Sequence, residues 1–289
     1  MDVWAIIKDT PISYDSAYLL GRIASHSNSL FTTSGANIYK IRSSIPAKFD
    51  VLLNRTILYD IDFLEELEEI ALEAGAVFIN SSRRTYAAYD KRKYLAEYLK
   101  FIPDTWIVED EQQLSLLIQK VGGELVVKYP FGMCGKEVVR ISTEADIAKA
   151  KRIFSISPGL SVVAQRFCDD LVLGDKRVIL HRLENDSFEI VAWYKRIPKP
   201  GGWISNLSFG GRIEKCDIAS DEVELCMKVA EIAGLDYVGL DIGKQDGKAL
   251  LIEINPYTGG HMDFDAIHQD KSSGVKFTEL VSRLCEKRT

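Results

Sequence analysis

Apolar positions fall into short continuous runs, separated by charged stretches with a helical period. VWAIIKD (3–9) and DVLLNR (50–55) read as buried strands, and AVFIN (76–80) as a third. Between them, IDFLEELEEIALEAG (61–75) places apolar residues at helical spacing and closes on Gly75. This alternation predicts a small α/β unit with a parallel sheet over roughly the first eighty residues.

The pattern then changes. Helices are expected over 89–102 (closed by Pro103), 110–122, 144–154 and 221–234, with a last one near VKFTELVSRLCEK. ELVVKYP (124–130) and VVRIS (138–142) read as a hairpin whose tip, FGMCGKE, carries Gly132 and Gly135. LSVVAQRF (160–167) and FEIVAWYKRIP (188–198) are further strands, and 237–255 is a hairpin turning at QDGK. The fold class is therefore α/β followed by mixed, largely antiparallel α+β.

The 289 residues suffice for more than one domain, and 46% hydrophobic with 27% charged residues is ordinary for a soluble protein. A net charge of −6 gives no electrostatic case for broad nucleic-acid binding. MDVWAIIKDT does not read as a secretory signal, and no apolar stretch is long enough to span a bilayer. Five scattered cysteines without a C-x-x-C pair suggest neither a disulfide framework nor a zinc site. The expectation is a cytoplasmic protein with no nucleic-acid or membrane partner.

Candidate chemistry begins in LLIEINPYTGG (250–260). On a regular strand Glu253 and Asn255 share one face, with Ile252 and Ile254 on the other. If QDGK closes the hairpin, Asp241 comes near Glu253, and hard oxygen donors converge as Mg²⁺ requires. A solvated strand face would give the same pattern. Lys128 precedes a glycine-bearing turn able to cradle phosphate, or is an edge lysine. In GDKR (174–177), Asp175, Lys176 and Arg177 lie close together; Arg177 can meet a phosphate or carboxylate as a fork, or the run is a surface ion-pair cluster. WYKRIPKPGGWISNLSFGGR (193–212) offers Lys195, Arg196, Asn206 and Arg212 among glycines and no acid, as an anion clamp or a solvated loop. Together with Lys91, these are parts for holding a nucleoside triphosphate, although no G-x-x-x-x-G-K-[ST] sequence occurs.

AQRF–DD–GDKRVIL (164–180), RIP–GG–NL–GGR (196–212) and YVGLD–EIN (237–255) carry a resemblance to the ATP-grasp superfamily, closest to bacterial glutathione synthetase and the RimK-like ligases. DVLLNR, AVFIN and DKRKYLAEYL resemble the approach to its nucleotide-binding part. The resemblance implies an N-terminal α/β domain (1–84), a central subdomain with a glycine-bearing lid (85–167) and a C-terminal subdomain with the metal site (168–289). It implies that Lys91 and Lys128 contact ATP phosphates under a Gly132–Gly135 lid. Gln165, Phe167 and Cys168 would lie along the adenine hinge, Asp175 at the ribose and Arg177 near the phosphates. Asp241, Glu253 and Asn255 would hold Mg²⁺ or Mn²⁺. Arg196, Asn206, Gly210, Gly211 and Arg212 would cradle the transferred phosphoryl group. The implied activity is ATP-dependent joining of a carboxylate to an amine through an acylphosphate, with an amino acid or small peptide as substrate and a homo-oligomer as assembly. Two other readings are a non-catalytic ATP-binding regulator and a ligase acting on a protein or carrier-peptide terminus. Two positions depart from the synthetase pattern. Ile204 stands where an arginine precedes the loop asparagine, and PYTGGHMDFD brings His261, Asp263 and Asp265 to the expected acceptor-binding loop.

Overall fold

A computed structural model describes residues 1–7, 14–25, 29–34, 38–55, 60–132, 135, 137–156 and 159–286. The first layer comprises β1 (Asp2–Ile7), α1 (Tyr14–Ala24), β2 (Ser29–Ser34), α2 (Ile38–Ser44), β3 (Val51–Arg55), α3 (Ile61–Glu73) and β4 (Val77–Ile79). Its strands pair in parallel in the order β2-β1-β3-β4. Val3, Ala5, Val51 and Leu53 pack on one side of this sheet, while Trp4, Leu52 and Phe78 pack on the other with Phe63 and Leu67. Burial on both faces is why these strands read as unbroken apolar runs. The Asp60 carboxylate caps α3 by accepting from the Asp62 N–H, and Gly75 follows it at φ 72°.

The second part contains α4 (Ser82–Tyr89), a 3-10 turn at Lys91–Lys93, α5 (Tyr94–Glu97), β5 (Thr105–Val108), α6 (Glu111–Val121), β6 (Leu125–Lys128), β7 (Val138–Ile141), α7 (Glu144–Ser155) and β8 (Val162–Arg166). Its sheet is antiparallel, in the order β5-β8-β6-β7. The single helix expected over 89–102 is broken. Asp90 is extended (φ −78°, ψ 95°), and its carboxylate caps the next turn at the Arg92 N–H, 3.1 Å away. That break frees the backbone to turn Lys91 inward, where it is buried.

The third part contains β9 (Asp175–Arg182), β10 (Phe188–Ile197), β11 (Arg212–Glu214), α8 (Ser220–Ala233), β12 (Tyr237–Gln245), β13 (Lys248–Asn255), α9 (His261–His268) and α10 (Ser272–Glu286). The sheet runs β11-β10-β9-β12-β13 with antiparallel pairing throughout. The QDGK turn has Asp246 at φ 53° and Gly247 at φ 76°, as a tight hairpin needs. Alternation gives this sheet two faces. Val178, Leu180, Val238, Leu240 and Ile242 join Leu225, Val229 and Ala230 of α8 in one apolar core. Asp175, Arg177 and Asp241 therefore point to the other side, and the site is built there.

Gly174, just before β9, has φ 109°, and a Cβ there would lie 2.2 Å from the Arg196 carbonyl oxygen. Alanine must displace backbone, so Gly174→Ala is expected to lose about 1–3 kcal/mol of stability. Urea unfolding with an unchanged midpoint would contradict this packing.

Candidate active site

A cleft with about 730 Å³ of empty volume, counting its open mouth, lies between the second and third sheets. Its apolar lining includes Val126, Val138, Leu171, Trp203, Ile204 and Ile252; its polar lining includes Lys91, Lys128, Asp175, Arg196, Asp241 and Glu253.

Strand register assembles the charges. Asp241 pairs directly with Glu253 on one side and with Arg177 on the other, and Asp175 faces Arg196 across β9 and β10. Arg177 donates to both Asp241 oxygens, at 2.5 and 3.1 Å. Arg196 donates to both Asp175 oxygens, at 2.8 and 2.6 Å, and lies 2.8 Å from Asp241. All four side chains are buried. Burial would push the Asp241 carboxyl up, but Arg177 and then Arg196 outweigh it and hold the group at about 2.

The phase of β13 differs from the regular alternation expected. A β-bulge lies between the Asp241–Glu253 and Ile242–Leu251 pairs, leaving Ile252 as the extra residue. Leu251 and Ile254 enter the apolar core, while Ile252 and Glu253 both line the cleft. Without the extra residue, Glu253 would share a face with Leu251. Glu253 meets Lys91 Nζ at 2.9 Å, and Lys91 also donates to the Gly132 carbonyl at 2.6 Å. One lysine thus ties the acidic strand to the glycine-bearing turn. Asn255 pairs with Gly239, and its Nδ2 is buried with no hydrogen-bond partner among the described residues.

Lys128 donates to Gln165 Oε1 at 2.8 Å, and Gln165 Nε2 donates to the Thr105 hydroxyl at 2.9 Å. The Gln165 side chain therefore buttresses the lysine. Burial pushes the Lys128 ammonium down to about 8; the Glu253 carboxylate opposes that shift and the Lys91 ammonium adds to it. Cys168 lines the cleft, whereas Phe167 is buried behind it, with the Arg140 guanidinium 3.7 Å from its ring centre and Trp203 edge-on at 5.6 Å. The Phe167 N–H is committed to the Glu124 carbonyl at 2.9 Å.

Gly132, Gly135 and Asn206 line the cleft, but Gly210, Gly211, Arg212 and Arg177 do not. Arg177 stands behind Asp241. Gly210 and Gly211 serve the loop itself: Gly210 has φ 86°, and a Cβ on Gly211 would strike the Ser205 carbonyl oxygen at 2.2 Å. Arg212 is exposed and pairs with Glu214 at 2.9 Å. Ile204 packs where the two loops meet, 2.9 Å from the place of a Gly135 Cβ. His261, Asp263 and Asp265 lie on α9 rather than in a binding loop. His261 is fully buried with its Nε2 3.2 Å from that of His181, and Asp265 accepts from the Tyr18 hydroxyl and the N–H groups of Ser273 and Gly274. Asp265 thereby fastens α9 to α1 and α10. Nothing in the residue pattern marks the cleft roles of Val126, Leu171 and Ile252, because apolar cleft walls and apolar core look alike in a chain. Residues 133, 134 and 136 of the expected lid, Cys134 among them, lie outside the described residues.

A sequence model of the prokaryotic glutathione synthetase ATP-grasp domain matches residues 91–261, more than half of the chain. The chain belongs to this family. It is 28% identical over 184 residues to a glutathione synthetase of Parasynechococcus marenigrum, covering 62% of this chain and 58% of that protein. It is 26% identical over 212 residues to a coenzyme gamma-F420-2:alpha-L-glutamate ligase of Methanococcus maripaludis, covering 72% and 70%. The matched segment spans about three fifths of the length of the curated glutathione synthetases. The crystal structure of the D-cycloserine synthetase DcsG superposes with a TM-score of 0.77 at 15% identity, covering 98% of this chain and 100% of that one. The fold is ATP-grasp. Among the described residues no helix is long and apolar enough to cross a membrane, and Cys168, Cys216, Cys226 and Cys285 form no disulfide.

Arg196→Gln would leave Asp175 and Asp241 short of a buried cation, at an expected cost of about 3–5 kcal/mol. Because Asp241 is held below its ordinary value, its contribution is fully present above pH ~4 and lost as pH falls toward about 2. The variant should begin acid unfolding at higher pH than the parent; coincident acid transitions by circular dichroism would exclude this account.

Proposed function

We propose that the protein is an ATP-dependent carboxylate–amine ligase that forms a peptide-type bond through an acylphosphate, with an amino acid or small peptide as substrate. One observation carries the reading. A pair of carboxylates on adjacent strands, the buried Asp241 and the partly buried Glu253, is met by Lys91, Arg177 and Arg196 at the floor of a cleft with apolar walls. The named relatives, a glutathione synthetase and a glutamate ligase, support the same bond class.

The donor set fits a magnesium or manganese ion. Among the described residues no three His, Cys, Asp or Glu side chains form a metal cluster. Here the third donor would be an amide: the Asn255 Nδ2 is buried with no partner among the described residues, and a flip of that amide would put its Oδ1, the atom able to ligate, in the same place. Two carboxylates and an amide oxygen suit a hard cation that keeps phosphate oxygens and water in its shell. When bound, such an ion would neutralise charge on the nucleotide's terminal phosphates.

The chain's own groups would do the rest. Lys91, which lies 2.9 Å from Glu253, would meet phosphate oxygens together with Lys128. Val126, Leu171 and Ile252 offer an apolar slot for the base, with Cys168 at its edge. Asp175 would receive the ribose. Arg196, within reach of both Asp175 and Asp241, would neutralise charge as the substrate carboxylate oxygen attacks the γ-phosphorus and ADP departs. An amine then attacks the acyl carbon and phosphate leaves. The Gly135 tip and the Ile204–Phe209 loop, which touch above the cleft, would exclude water from the acylphosphate. The protein supplies no nucleophile; it positions and shields.

Glu253→Gln should abolish ADP formation while leaving the far-ultraviolet spectrum unchanged, and undiminished turnover would remove the metal role. Substrates can be found by incubating ATP and Mg²⁺ with pairs of amino acids and dipeptides, reading phosphate release and product mass. ATP binding without product from any pair would favour a regulator.

Lys128 gives a second test. With its ammonium at about 8 in the free protein, nucleotide phosphates should restore the proton. ADP binding at pH 8 should therefore take up a fraction of a proton, and affinity should fall as pH rises further. Calorimetry in buffers of different ionisation enthalpy measures this. Uptake that persists in Lys128→Met would assign it elsewhere.

A further inference from the structure

Arg55 is the last residue of β3, in the first sheet, yet its side chain is buried against the segment that follows β13. Its Nη1 donates to the Thr258 carbonyl at 3.1 Å and to the Tyr237 hydroxyl at 3.0 Å, and its Nε to the Ser16 hydroxyl at 3.3 Å. Thr258 is 1% exposed. It seats directly over Gly239, where a Cβ would come within 2.1 Å of Thr258 Oγ1. From the opposite side, Arg177 Nη1 donates to Thr258 Oγ1 at 3.1 Å and to the Gly259 carbonyl at 3.3 Å. The remaining N–H groups of Arg177 hold both oxygens of Asp241.

Two guanidinium groups from different sheets thus grip one threonine, the first by its carbonyl and the second by its hydroxyl. We propose that Arg55 and Thr258 are positioning residues, which orient Asp241 through Arg177 for the metal-bound nucleotide. The inference rests on the reading of the cleft given above. It follows from geometry: a planar guanidinium with several fixed donors cannot rotate at one end while held at the other. Arg177 has no freedom to swing as long as Thr258 is fixed, and Arg55 fixes the Thr258 backbone from β3. Partners one step removed from a metal ligand set its orientation and commonly change metal affinity when lost. Contact between the first sheet and the charged row of the third is therefore part of the site, although neither Arg55 nor Thr258 lines the cleft.

Thr258→Val removes the hydroxyl at constant shape, and Thr258→Ser restores it. Arg55→Lys keeps the charge but cannot serve the Thr258 carbonyl, Tyr237 and Ser16 together. Titration calorimetry with MgADP and with metal-free ADP, alongside thermal unfolding, separates the roles. Thr258→Val and Arg55→Lys should each weaken MgADP binding about ten-fold, with metal-free ADP binding unchanged and Thr258→Ser close to the parent. Equal weakening of both ligand forms, or a lower melting temperature with unaltered MgADP affinity, would overturn the positioning role. If Arg55→Lys does not fold, the valine–serine comparison decides. A parent protein that binds no MgADP would remove the reading of the cleft itself, and this inference with it; a parent that binds MgADP beside variants that match it would remove only the inference.

Discussion

The Asp241 carboxylate, 3% exposed and clasped by Arg177 and Arg196, is the contact on which the rest of the site depends. A lone ionised carboxylate taken out of water costs several kcal/mol, so this one persists only because two guanidinium groups reach it with good geometry. Those guanidinium groups reach it only because β10, β9, β12 and β13 lie in one register. A slip of one residue in β12 would turn Asp241 into the apolar core beneath α8 and carry Leu240 into the cleft. Charge pairing and strand register therefore specify each other.

The cleft combines this charged floor with a cover built from loops. Lys91 connects the two, since it holds Glu253 of the floor and the Gly132 carbonyl of the turn above it. Its cations and carboxylates are nearly balanced within the chain, so the site can be assembled without ligand. In the proposed reading, a divalent cation and a polyphosphate would exchange partners with these groups and need not create a new arrangement. Such prearranged charge is the kind of environment that stabilises charge developing in a reaction. The cover contains Ile204 where the synthetase pattern has a cation, with Trp203 beside it, and Ile204 packs toward the Gly135 tip. The two loops thus approach closely above the charged floor, with Ile204, Asn206 and Phe209 around Gly135.

Much of the scaffold was legible because its elements carry local signals. The double burial of β1 and β3, the Gly75 stop of α3 and the QDGK turn all act within a few residues. β2, with the sequence SLFTTS, carries no such run, and only its pairing with β1 makes it a strand. The break at Asp90 was also hidden, because a capping aspartate inside a continuous helical pattern is recognisable only once Lys91 has an inward partner.

The sequence by itself determined which groups are available. It also put Asp241 and the Glu253–Asn255 pair on partner strands, through a turn that accepts only one tight geometry. Tertiary structure decided what each group faces. The bulge at Ile252 set the phase of Glu253, the cross-strand pairs moved Arg177 behind Asp241 rather than into the cleft, and the docking of α9 buried His261 and Asp265. The reason is physical. Propensity, capping and turn preference act over a few neighbouring residues, whereas a charge's partner and a side chain's face depend on segments brought together from as far apart as Arg55 and Thr258.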